Sequence, residues 1–215
     1  MKRIFYFIIL NIYISSLFSS DYKVLDIALQ KIDYDENKFR YQTKMSILGD
    51  KPSYTIYSFN PVKTPKVELL EIDGRKPDKS DINKFLKNMN RDDSRGINTL
   101  LGKKYTFIEE KNGLSKYTYI TEESLIPKKE SKMLGEVLVD LNSESIKKIT
   151  LYTKKEIDIT VGVKLQEFLM VFVFEDYDDE FTIVKELNMS MKGKAFFKEF
   201  SQSTKSSLYA YEIIN

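Results

Sequence analysis

Cysteine, histidine and tryptophan are all missing from this 215-residue chain, and glycine and proline are scarce, at 8 and 5 residues. Without cysteine there is no disulfide to staple the fold, so its stability must come from a hydrophobic core. There is also no thiol nucleophile and no thiol for a lipid anchor. Without histidine the chain lacks the usual general base, the Ser-His pair and the commonest zinc ligand. Carboxylate pairs alone can hydrolyse glycosides, but no tryptophan is present to serve as a sugar platform. These absences argue against an enzyme. No cofactor motif is present either.

Neither sign of charge dominates, with 34 Lys and Arg against 32 Asp and Glu. Such a balance gives no basic surface for nucleic acid and no polybasic patch for an anionic membrane. The longest apolar run, 4–14, is interrupted by Asn11 and falls short of the ~20 residues that span a bilayer. Lys2 and Arg3 precede it and Ser15, Ser16, Ser19 and Ser20 follow it, the pattern of a secretory signal peptide. Residues 1–20 are thus expected to direct export, most simply to a periplasm, leaving 21–215 as one soluble domain without a transmembrane segment.

Periodicity then divides the mature chain. Val24, Leu25, Ala28, Leu29 and Ile32 recur at helical spacing, as do Ile82, Phe85, Leu86 and Met89, with Ser80 as the expected cap of the second helix. Alternation predicts strands near 39–45, 54–59, 67–72, 103–109, 115–121, 133–140, 146–153, 163–175, 181–190, 193–200 and 207–213. Asp73-Gly74 and Asn112-Gly113 are hairpin-type turn pairs. Polar loops are expected at 91–96 and 127–131. Early helices followed by strands at hairpin spacing indicate an α+β domain on one large antiparallel sheet.

The stretch 164–174 departs from alternation: its last seven residues are apolar on both faces. One parity holds Phe168, Met170, Phe172 and Phe174, the other Leu169, Val171 and Val173. Each face therefore needs an apolar cover, helices on one and more protein or a ligand on the other. Phe196 and Phe200 share a parity in the next strand, beside Gly193 and Ala195. The acidic run 175–180 has oxygen ligands suited to calcium but no EF-hand spacing, so a solvated hairpin tip is the simpler reading.

Two segments carry a resemblance. Phe59-Asn60-Pro61 through Leu69-Leu70-Glu71-Ile72-Asp73-Gly74-Arg75-Lys76-Pro77, and Met191-Lys192-Gly193-Lys194-Ala195-Phe196-Phe197-Lys198-Glu199-Phe200 with Tyr209 and Tyr211 beyond, resemble uncharacterised bacterial envelope proteins. Their fold is similar to the periplasmic lipoprotein carriers LolA and LolB. The resemblance implies a strongly curved antiparallel β-sheet, a half-barrel, with helices covering its concave side over an apolar cavity. LolB is anchored through a cysteine that this chain lacks, so the comparison implies a soluble carrier and assigns no catalytic residue. The expected ligand is hydrophobic: a lipid, an acyl chain or a lipoprotein segment. The expected cavity lining is Phe168, Met170, Phe172, Phe174 and Phe196. The alternative is a non-catalytic interaction module of the envelope with a solid core, bound to a partner protein.

Overall fold

The computed structural model describes residues 22–32, 38–89, 100–121, 133–153 and 155–214. The expected signal segment 1–20 and the loops expected at 91–96 and 127–131 lie outside the described residues. The first helix, α1, spans 22–32. After it come β1 (Phe39–Leu48), β2 (Ser53–Phe59), β3 (Val67–Ile72), α2 (Lys79–Met89), β4 (Tyr105–Lys111) and β5 (Leu114–Ile120). The rest is strand: β6 (Leu134–Asp140), β7 (Ser145–Tyr152), β8 (Ile157–Thr160), β9 (Val163–Asp176), β10 (Thr182–Ala195) and β11 (Lys198–Ile213). All belong to one antiparallel sheet in the order β3-β2-β1-β11-β10-β9-β7-β6-β5-β4, with β8 beside β9. The sheet is open, with β3 and β4 at its two ends. No helix among the described residues is long and apolar enough to cross a membrane.

Local chemistry sets most boundaries. Asn112 and Gly113 both have positive φ (56° and 76°), as a type I′ turn requires, and they join β4 to β5. Asp73 and Gly74 do the same (49° and 81°), and Ile72 and Arg75 exchange two backbone hydrogen bonds across them, at 3.0 and 2.9 Å. The cap of α2 is Asp78 rather than Ser80. Asp78 Oδ1 accepts from the Asp81 amide at 2.9 Å, and Asp81 Oδ2 accepts from the Asp78 amide at 3.1 Å. This reciprocal pair satisfies two amides that a helix start leaves orphaned.

Direct cross-strand partners share a face, so the register assigns every strand residue to one side. Tyr117, Val137, Ile149, Phe172, Leu187, Ser206, Met45 and Thr55 form one row across eight strands. Helix α1 lies on this side: Leu25, Ala28 and Ile32 are buried with Tyr117, Val137, Ile149 and Phe172 in the main core. Tyr22 donates to the Tyr105 carbonyl (3.3 Å) and Lys31 to the Ser143 carbonyl (2.8 Å), which fixes the helix across β4 to β7. Helix α2 is on the same side, its Phe85 ring 5.4 Å from Tyr57. A second apolar knot closes one end of the sheet, where Phe39 meets Tyr177, Phe181 and Tyr211 edge-on at 5.6 to 6.2 Å.

The opposite face carries the charges. Lys116 pairs with Glu136 at 3.0 Å and Lys205 with Glu186 at 2.9 Å, while the Lys44 ammonium stands 4.4 Å from the Tyr54 ring centroid. Val171 and Val173 of β9 also face this way. Val173 stands between Lys148 and Glu186, and Val171 between Thr150 and Asn188. Both are half-buried. Their cross-strand neighbours on this face are polar or charged, so the apolar double-sidedness of β9 continues into no apolar row here.

Three segments differ from the sequence reading. The stretches expected at 193–200 and 207–213 are not two strands: β10 runs on to Ala195, the chain turns at Phe196-Phe197, and β11 is continuous from Lys198 to Ile213. The four-residue β8 had no pattern long enough to announce it. Together β8, β9, β10 and β11 extend past the ends of β1 and β7, since β1 stops opposite Ser203 and β7 opposite Leu169. They make a narrow arm that ends in the turns 161–162 and 196–197.

Candidate functional site

The structure brings four of the five expected lining residues together and separates the fifth. Phe168, Met170, Phe172 and Phe174 all face the helices. The three phenylalanines are buried in the main core, with Phe172 and Phe174 stacked at 6.4 Å, and Met170 packs against it half-buried. Phe196 is elsewhere. It is the first residue of the arm's terminal turn and is 71% exposed, so it lines no wall of this core. The strand expected at 193–200 misplaced it.

Between the two helices the sheet is less covered. Met170 lies directly opposite Met189, Met189 opposite Thr204, and Thr204 opposite Ile47. The adjacent row places Leu187 opposite Ser206 and Ser206 opposite Met45. Met45, Leu187, Met189, Thr204 and Ser206 are half-buried, and Ile47 is exposed. The small side chains of β11 thus run between Met189 on β10 and Met45 on β1, in a half-covered floor of the sheet. Helix α2 sits loosely to one side of it, against β3 and Tyr57 of β2: none of its residues is buried, Phe85 and Leu86 are half-covered, and Ile82 and Met89 are exposed.

This floor is uncharged. The lysine and glutamates of the same strands alternate onto the other face, where they pair with one another. Tyr57, beside Phe85, has its phenol held above the ordinary range, chiefly by burial, and stays neutral. An uncharged surface of methionines and small hydroxyls suits an apolar ligand of variable shape, because Met is flexible and polarizable. The sequence reading found Met170 but missed Met45, Met189, Thr204 and Ser206, whose meeting depends on register between strands far apart in the chain.

The acidic run is a hairpin tip with structural work for its carboxylates. Asp178 Oδ1 accepts from the amides of Glu180 and Phe181, both at 2.8 Å, and Glu175 pairs with Lys185 at 2.5 Å. Asp176 is bound by Lys147 at 2.6 Å. Burial raises its pKa, but hydrogen bonds from Lys147, Ser145 and Thr182 outweigh that and hold the carboxyl below its usual range. No cluster of three or more metal-ligating side chains occurs among the described residues.

A groove of about 810 Å³ opens by the β4 edge, lined by residues including Lys103, Lys104, Thr106, Thr118, Ile120 and Leu134. None of the five expected residues borders it. Compared with protein-family models, with curated proteins and with solved structures, the chain matches none.

Proposed function

We propose that this is an exported envelope protein that holds a hydrophobic ligand, a lipid, an acyl chain or a lipoprotein segment, on the helix-bearing face between α1 and α2. The observation that carries the reading is the uncharged, half-covered floor of Met45, Met170, Met189, Thr204 and Ser206, with a helix that has no buried residue on the same face over β2 and β3. The sheet is read as a half-barrel concave toward the helices. Repeated register shifts along β1/β11, β9/β10, β2/β3 and β6/β7 support this, because bulges bend and twist a sheet. The likeness to lipoprotein carriers remains part of the proposal and rests on the segments 59–77 and 191–200. Export rests on the pattern of residues 1–20. Binding would draw on burial of apolar area at ~25 cal/mol per Å² before association costs.

The test is native mass spectrometry of the protein from the envelope fraction, with lipid extraction of the same sample, then titration with a fluorescent fatty acid. A co-purified lipid, and probe binding that Ser206→Phe abolishes by filling the floor, is the expected result. A bare mass with no probe binding would overturn the reading and leave the solid-core interaction module in its place.

A further inference from the structure

The arm of β8 to β11 ends in two turns that meet. The Phe196 amide donates to the Gly162 carbonyl at 2.5 Å, and the Phe196 ring lies on Gly162 so closely that a Cβ there would be 2.7 Å from its edge. The apex is therefore pre-assembled. Its outermost side chains are apolar: Val161 is 89% exposed, Phe196 71% and Phe197 fully exposed. Phe196 also holds φ at 55°, a backbone region unfavourable for a bulky residue, where glycine would be relaxed. A solubility-driven turn would place glycine, asparagine or aspartate here. This one keeps two phenylalanines at the end of the β10–β11 hairpin.

The surroundings indicate what covers them. Behind the apex stand Lys164, Lys194 and Lys198, with exposed side chains. The carboxylates of the arm pair with its lysines, Glu199 with Lys194 at 3.3 Å and both Glu156 (3.3 Å) and Asp158 (3.9 Å) with Lys164, so the charges behind the phenylalanines largely balance, and Lys198 stands exposed beside Phe197. A projecting apolar point backed by paired ammonium and carboxylate groups matches a zwitterionic lipid surface: acyl chains take the rings, and headgroup phosphates and ammoniums meet the balanced collar, with Lys198 beside Phe197. A flat or rigid protein surface gives such a projection little area to bury.

We infer that the Val161/Phe196/Phe197 apex is a membrane-docking point that enters the headgroup and upper acyl region of a bilayer. It is separate from the floor between the helices and goes beyond the ligand proposal. It sets the chain against a bilayer by the end of its arm, with no helix or lipid anchor involved.

The absence of tryptophan supplies the experiment. Phe197→Trp places a single indole at the apex, where full exposure makes it tolerable to the fold. Vesicles of phosphatidylethanolamine with a minority of phosphatidylglycerol should shift its emission to shorter wavelength, and lipids brominated near the headgroup should quench it. The F196S/F197S variant should float with vesicles about tenfold less than the parent, with an unchanged melting curve and unchanged fatty-acid binding. Emission unmoved by vesicles, or flotation equal for parent and variant, overturns the inference. So does an emission already shifted without lipid together with a dimer mass, which would assign the apex to a second copy of the chain.

Discussion

Tyr119 and Gly135 face each other across β5 and β6, and their fit yields a sharp energetic test. The Tyr119 ring lies flat on the Gly135 backbone: a Cβ built there would overlap Cζ and both Cε atoms. Gly102 supports the other edge, where a Cβ would be 2.7 Å from Cδ2. Tyr119 is only 3% exposed, so Gly135→Ala must expel a core ring. Losing a buried aromatic costs about 3–5 kcal/mol, and Ala gains about 0.5–1 over Gly in a strand, so a net loss of about 2–4 kcal/mol is expected. In a Tyr119→Ala background the obstacle is gone, and the same Gly135→Ala change should be neutral or slightly stabilising. Urea unfolding of the four proteins, at matched m-values, measures the coupling. Additivity within about 0.5 kcal/mol would refute the reasoning. The hydroxyl adds a second arm. Tyr119 Oη is buried with no hydrogen-bond partner among the described residues, and burial, with Tyr105 nearby, drives its pKa upward. Tyr119→Phe should therefore stabilise by about 1 kcal/mol, where loss of a satisfied hydroxyl would do the opposite.

Asp176 gives a pH signature. Its folded pKa lies below the unfolded value, so its contribution is present above the ordinary carboxylate range and disappears as pH falls through the folded pKa. Asp176→Asn should lower stability in urea at pH 7 and match the parent at pH 2, and a gap that persists in acid would contradict this. Asp78→Ala removes the cap of α2 at a local cost of about 1 kcal/mol. Because that helix has no buried residue, hydrogen exchange should accelerate in 79–89 while the global unfolding midpoint barely moves. A matching loss of global stability would show that α2 is integral to the core.

What the sequence revealed follows from what is local. Both helices, the Asn112-Gly113 and Asp73-Gly74 turns and most strands were legible because period and turn chemistry operate within a few residues. Strand β11 was half-hidden. Its stretch Ser201 to Ser207 is polar and serine-rich, and it is extended because β10 pairs with it throughout and β1 from Ser203 onward. The turn at Phe196-Phe197 was invisible because neither residue is a turn former, and that error carried Phe196 into an expected cavity wall. The floor was unreadable for a different reason. Met170 and Met189 are brought opposite each other by β9/β10 register, and Ile47 reaches Thr204 only through a pairing between the two ends of the chain. The double-sided apolar stretch of β9 was legible, but its explanation was not. Val173 stands between Lys148 and Glu186 in the register, where more protein or a ligand was expected.

The pairing of β1 with β11 has a temporal consequence. Arg40 and Glu212, which form an ion pair there, are 172 positions apart. The β1–β3 meander with α2 and the β4–β10 sheet are each built largely from neighbours in sequence; α1 and Phe39 pack across to the second half, but β11 supplies the backbone ladder that joins the two. Until Ser203 to Ile213 is in place, β1 and β10 each present an open edge with no backbone ladder between them. The chain therefore completes its fold from the tail, and long-range closure of this kind is slow. A nascent or truncated chain lacking β11 would be two half-sheets rather than a smaller version of the whole.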